Sequence, residues 1–282
     1  MLWKDNGRSS NLEDGRGSGG GFGGRAGMGI GGTAVLLILS LVFGRNFFDD
    51  VGGGATVTQS NGALSPADSA REEPEVRFVS FVLDDAQAAW SKILPQYGAR
   101  YHDAKLHLFR GATETGCGTG QTAMGPFYCP LDEKVYIDLE FYEELKTKFA
   151  AAGDFAQAYV IAHELGHHLQ HILGTDAKMR QMAQRDPSRR NELSVRLELQ
   201  ADCYAGVWGK NTQQRDHLQA GDIDEGLAAA AAVGDDRIQR QTTGRVNTDS
   251  FTHGSSAQRT TWFKKGFESG DPRSCDTFGN AG

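Results

Sequence analysis

The feature that most restricts this chain is the run Ala162-His163-Glu164-Leu165-Gly166-His167-His168. It contains His-Glu-x-x-His. On a helix, positions i and i+4 share a face, so the imidazoles of His163 and His167 project together. Two imidazoles held that way suit zinc, which takes nitrogen and carboxylate ligands in a tetrahedral set. Glu164 follows the first ligand and can reach a metal-bound water as general base. The surroundings read as a helix: Phe155, Ala158, Ala162, Leu165, Leu169 and Ile172 recur at helical spacing, and Gly174 follows as a stop.

Catalytic zinc usually takes three protein ligands. The downstream run Glu198-Leu199-Gln200-Ala201-Asp202 offers the third. Glu198 and Asp202 share a helix face, and their neighbours Leu197, Leu199, Ala201 and Cys203 are apolar. Carboxylates in apolar surroundings want a cation or donors. Metal satisfies Glu198, and a ligand imidazole N–H satisfies Asp202. Glu192 is the alternative ligand. Ala201 and Ala205 permit close helix packing.

Ahead of this lies a Gly-rich start, with 16 of the 37 glycines before residue 55. Residues 1–25 are expected to be disordered. Residues 26–44 carry no charge, and 19 residues at ~1.5 Å rise match a hydrocarbon core of ~30 Å. A single transmembrane helix is expected there. Lys4, Arg8, Arg16 and Arg25 precede it, against Arg45 and Arg71 after it, which keeps the N-terminus cytoplasmic and puts the rest outside. Residues 45–75 read as a flexible linker and 76–282 as the globular domain.

Within that domain the pattern predicts a helix from Phe78 to Ile93 and a strand over 104–110. A hairpin of Phe127-Tyr128-Cys129 with Val135 to Leu139 follows, then a helix over 140–152. After the metal helix comes a helix from Glu192 to Trp208. Capping boxes are expected at Asp222/Glu225 and Ser255/Gln258. The net charge is −7 with no long basic run, so nucleic acid is not an expected partner.

Several stretches together resemble the bacterial neutral zinc metallopeptidase family. They are Phe127-Tyr128-Cys129-Pro130, Lys134 to Asp138, His163 to His168, Leu197 to Gly206 and Phe251 to Arg259. The order of His-Glu-x-x-His and then Glu-x-x-x-Asp is also similar to gluzincins. The resemblance implies a mainly helical α+β, zincin-like domain with a small sheet beside the active-site helix. It implies zinc, one per chain, on His163, His167 and Glu198, with Asp202 behind a ligand histidine and Glu164 as base. It further implies an inner-membrane protein whose extracytoplasmic domain hydrolyses peptide or protein substrates. By the same analogy, the strand Val135 to Leu139 would bind a peptide edge to edge. A zinc-bound scaffold without turnover is the alternative.

His253 precedes a capped helix, whose partly positive N-terminus favours a neutral imidazole able to donate to an oxyanion. His168 and His171 are expected to be structural. The four cysteines contain no Cys-x-x-Cys pair. An extracytoplasmic domain oxidises thiols, so pairing is expected. Cys117 with Cys129 closes a short loop, which leaves Cys203 to fasten the tail through Cys275.

Overall fold

The computed structural model describes residues 1–17, 65–147 and 153–279. Helix α1 (Pro66–Ile93) opens on Ser65, whose side chain accepts the Asp68 N–H, with Pro66 in the first turn where its missing N–H costs nothing. Its buried face carries Val76, Val79, Val82, Leu83 and Ala86. A short 3-10 turn ending at left-handed Gly98 leads into strand β2 (Lys105–Phe109). The hairpin β3 (Ala112–Thr115) and β4 (Gly118–Gln121) follows, then β5 (Phe127–Cys129) and β6 (Lys134–Asp138). Helices α2 (Glu140–Thr147), α3 (Asp154–Ile172), α4 (Thr175–Arg185) and α5 (Arg190–Gln214) come next. The described chain closes with α6 (Asp222–Ala232), α7 (Asp235–Thr242) and α8 (Ser256–Ser269). The result is mostly helical α+β with a small sheet.

The sheet runs β1-β2-β6-β5, with β1 (Leu12–Asp14) parallel to β2, β2 parallel to β6, and β5 antiparallel to β6. The expected β5–β6 hairpin is present. The substrate role expected of β6 is restricted by its neighbours: β2 pairs along all of it, and β5 covers its other edge over Lys134, Val135 and Tyr136. The edge strands of this sheet are β1 and β5. Leu106, Leu108, Val135 and Ile137 of the sheet pack with α1 and with Phe155, Tyr159, Ile161 and Leu165 of α3. On its other side α3 meets α5 and α6, where Phe155 stacks on Trp208 at 5.7 Å. A polar knot ties α5 to α1: Trp208 Nε1 donates to Asp85 at 2.9 Å, and Arg215 pairs with the same carboxylate.

Two expectations about the N-terminal half need correction. Residues 1–17 are ordered, not disordered. Trp3 sits edge-on to Phe78 at 5.4 Å, and Leu12, Glu13 and Asp14 pair in register with Leu106, His107 and Leu108. Arg16 is only 3% exposed, bonded to Asp14 at 2.8 Å and Glu72 at 2.7 Å, while Arg8 pairs with Asp14 and Glu73. Second, residues 66–75 are the first turns of α1 rather than linker, and their acids receive those arginines. Arg8 and Arg16, two of the basic residues counted ahead of residue 26, are the arginines held in these pairs. The segment 26–44 lies outside the described residues. Among those described, no helix is long and apolar enough to cross a membrane.

The Ser255/Gln258 capping box forms. The Asp222/Glu225 one does not: Gly221 is the cap, and Glu225 instead accepts the Phe155 N–H at 3.1 Å, capping α3. The pairings argued for the cysteines, Cys117–Cys129 and Cys203–Cys275, are both present, with Cα separations of 5.8 and 5.5 Å.

Candidate metal centre

Helices α3 and α5 approach closely at Gly166. A Cβ there would lie 2.9 Å from Ala201 Cα and 3.0 Å from its carbonyl oxygen, so only glycine permits the contact. That approach brings Glu198 of α5 against the two imidazoles of α3. His163 Nε2 lies 3.2 Å from Glu198 Oε2, and His167 Nε2 lies 3.5 Å from Oε1. The ligand atoms of His163, His167 and Glu198 fall within 4.8 Å of one another. These are the three residues the sequence assigned to zinc. Glu192 is elsewhere, 44% exposed and paired with Arg189 and Arg196 at 2.9 Å.

The opposite nitrogens are held from behind. His163 Nδ1 meets Asp202 Oδ1 at 2.8 Å, and His167 Nδ1 meets Gln170 Oε1 at 2.9 Å. An N–H donated there leaves each Nε2 directed at the shared space, as a metal ligand requires. Asp202 is fully buried and is matched by Arg259, whose Nε and NH2 donate to its two oxygens at 2.8 and 2.9 Å. The Tyr159 hydroxyl donates to Asp202 as well. Gln170 donates to Leu197 O at 2.7 Å and Gln200 Oε1 at 3.2 Å, and Gln200 donates to Cys275 O at 3.0 Å. His167 is thereby fastened through two amides to the Cys203–Cys275 bridge.

The electrostatics follow from burial and these partners. Burial opposes the His163 imidazolium, but Asp202 outweighs it and pushes the pKa up to about 9. Burial would raise Glu198 and Asp202. His167, His253 and His163 hold Glu198 well below the usual carboxylate range, and Arg259 with His163 lowers Asp202. Two imidazoles and an ionised carboxylate, backed by an ionised aspartate, fit zinc in number and type. Solvent reaches the set, with His167 20% and Glu198 15% exposed.

Glu164 is 7% exposed and stands outside the donor set. Burial raises its pKa against the pull of His167 and His163. His253 is held differently from the expectation. Its Nδ1 faces Asp235 Oδ1 at 3.2 Å, while the N–H groups of Thr252, His253 and Gly254 donate to Asp235 Oδ2 at 2.8, 2.7 and 2.9 Å. Burial disfavours its cation, yet Glu198 and Asp235 raise its pKa, so two carboxylates overrule the helix dipole that favoured a neutral ring.

Sequence reading missed the supporting roles of Arg259, Asp235, Tyr159 and Gln170. Only Gln170 left a local signal, three residues beyond His167 on the same helix.

Comparison with known proteins agrees with this geometry. The chain is 50% identical to YpfJ of Escherichia coli K12, itself described as uncharacterized, over the full length of both. It is 47% identical to an uncharacterized protein of Mycobacterium tuberculosis over 209 residues, 70% of this chain and 69% of the other. No solved structure matches the chain. The profile of the family described as "Putative neutral zinc metallopeptidase" matches residues 1–278, and the chain belongs to that family.

Proposed function

We propose that this protein is a zinc-dependent peptidase in which His163, His167 and Glu198 hold the metal and Glu164 is the general base. The observation that carries this reading is Glu164 itself: a buried carboxylate beside both ligand imidazoles that is not a ligand. A metal scaffold has no use for it. Zinc held by this set would supply a Lewis acid for water and for a peptide carbonyl. Glu164 takes the proton from the attacking water and passes it to the leaving amine nitrogen; its raised pKa suits a group that must both accept and release. His253, steadied by Asp235, donates toward the carbonyl oxygen as negative charge develops there. Asp202 and Arg259 keep the His163 ring in place. Of the two edge strands, β5 is the one packed against the metal helix α3, and its unpaired side would take an extended peptide.

The test is Glu164→Gln in the full chain. It should keep about one zinc at this site and lose peptide cleavage by ~10²-fold or more. His167→Ala should lose that zinc. Cleavage by Glu164→Gln at the wild-type rate would reject Glu164 as the base, whereas a zinc-loaded wild type that cleaves no peptide would leave the scaffold reading in its place.

The two disulfides support a reading in which the metal domain lies where thiols oxidise, outside the cytoplasm at the bacterial inner membrane, with residues 26–44 associated with the bilayer. The docked arm modifies the topology expected from the sequence. Residues 1–17 pack with the described residues of the metal domain, and a single crossing between the two would put them on opposite faces of the bilayer. The N-terminus therefore belongs on the same side as the metal domain. Labelling a cysteine at exposed Asp5 with a membrane-impermeant reagent in intact spheroplasts, alongside a reporter fused after Gly282, should give the same side for both. Opposite sides would restore the single span and remove the arm from the domain.

A further inference from the structure

The face of α3 one turn beyond His167 carries a second set of donors that the peptidase chemistry does not use. His171 lies between two carboxylates. Its Nδ1 is 3.0 Å from Asp176 Oδ2, and its Nε2 is 3.8 Å from Glu133 Oε1. The other oxygen of Glu133 lies 2.6 Å from His102 Nε2. A neutral imidazole has one N–H. If His171 donates it to Asp176, its Nε2 lone pair faces the carboxylate of Glu133 with nothing positive between them.

This is the arrangement found at His163, whose Nδ1 meets Asp202 and whose Nε2 meets Glu198. Asp176 stands where Asp202 does, Glu133 where Glu198 does, and His102 supplies the second imidazole. Glu133 holds its place at φ +56°, a left-handed conformation that non-glycine residues rarely adopt. His102, Glu133 and neighbouring His168 offer ligand atoms within 4.8 Å of one another; His171 stands just outside that set, 3.8 Å from Glu133, and must close on it to join. His168 is already committed. Its Nε2 lies 2.8 Å from the His102 carbonyl and its Nδ1 2.9 Å from the Tyr128 hydroxyl. It fixes the backbone of His102 and leaves the His102 side chain to bind.

We propose that His102, Glu133 and His171 form a second site for a zinc-class divalent cation, with Asp176 orienting His171. Two imidazoles and a carboxylate select zinc or copper over magnesium or calcium, which prefer all-oxygen shells. His102 is 54% and Glu133 42% exposed, so the side chains must be ordered as the ion binds and water completes its shell. The site is therefore weaker than the buried one.

Zinc titration of the metal-stripped full chain near neutral pH, read by equilibrium dialysis, tests this. The wild type should bind about two equivalents in two phases. His102→Ala and His171→Ala should each lose the weaker equivalent and keep the tighter. His167→Ala should do the reverse, which separates this site from the peptidase centre. His102 is exposed, so its variant should unfold thermally as the wild type does. A wild type that binds a single equivalent, or a weaker equivalent that survives in the His102→Ala/His171→Ala double variant, overturns the proposal.

Discussion

Helix α3 bears two histidine–glutamate clusters one turn apart. They use the same donors and differ in what stands behind them. At the first, Asp202 is fully buried, and Arg259, 3% exposed, meets both of its oxygens. At the second, Asp176 is 13% exposed and its cation is Arg180, 49% exposed. Water screens the second pair and cannot reach the first. The difference teaches that ligand identity alone does not make a catalytic centre. What distinguishes the first cluster is a buried, fully hydrogen-bonded shell that holds both imidazoles still, with the carboxylate of Glu164 beside them.

The largest effect expected from breaking that contrast is on stability. Arg259→Met removes the only cation bonded to both oxygens of Asp202 among the described residues. An uncompensated buried carboxylate costs about 3–5 kcal/mol. Chemical unfolding of the metal-free variant should show a loss in that range. A loss under about 1 kcal/mol would mean that Asp202 is not ionised in the folded protein. Arg180→Met, at the exposed cluster, should stay within about 1 kcal/mol of wild type.

Next is the dependence on pH and metal. In the metal-free protein the His163 pKa rises from 6.5 to about 9. A folded pKa above the unfolded one contributes stability that is fully present below about pH 6.5 and is lost as pH climbs through about 9. The span corresponds to about 3 kcal/mol. Zinc takes the place of the Nε2 proton, so the zinc-loaded protein should lack this decline. Unfolding at pH 6 and pH 9.5, with and without zinc, checks it. The same decline in both forms would remove His163 from the ligand set.

The legible parts of this molecule were those set by short-range spacing. The i, i+4 histidines, the Glu198–Asp202 pair and the Ser255–Gln258 cap are all local. The missed parts are tertiary. Residues 1–25 read as disordered because they are polar and rich in glycine, yet Arg16 finds Glu72 56 residues away. Glu225 looked like the partner of its own helix start, and the Phe155 N–H of α3 competed successfully for it. β6 and the Leu139 that follows it alternate in sequence, Val135, Ile137 and Leu139 against Tyr136 and Asp138, so its cover on both faces was not legible. Val135, Tyr136, Ile137 and Asp138 are all buried, and a strand buried without alternation is covered on both faces. Arg259 follows a capping box on a helix with few other signals, and nothing local says that its guanidinium crosses to Asp202.

The smallest effect should come from the two aspartates that orient histidines. Asp202→Asn keeps the shape but loses the charge that fixes His163 and balances Arg259. Loss of such an outer partner typically costs 10–100-fold in metal affinity, and here burial leaves no water to replace it. Asp176 also orients a histidine, but it shares its charge with exposed Arg180 and accepts the Ala177 N–H as well. In Asp176→Asn the side-chain oxygen can still accept from His171, and nearby solvent can replace the rest. Its effect on the second zinc equivalent should be less than about tenfold, in line with exposed ion pairs worth about 0–1 kcal/mol. Competition titration with a chromophoric chelator measures both. If Asp176→Asn weakens the second site as much as Asp202→Asn weakens the first, burial is not what separates the two clusters, and the difference must lie in Glu164 and His253 alone.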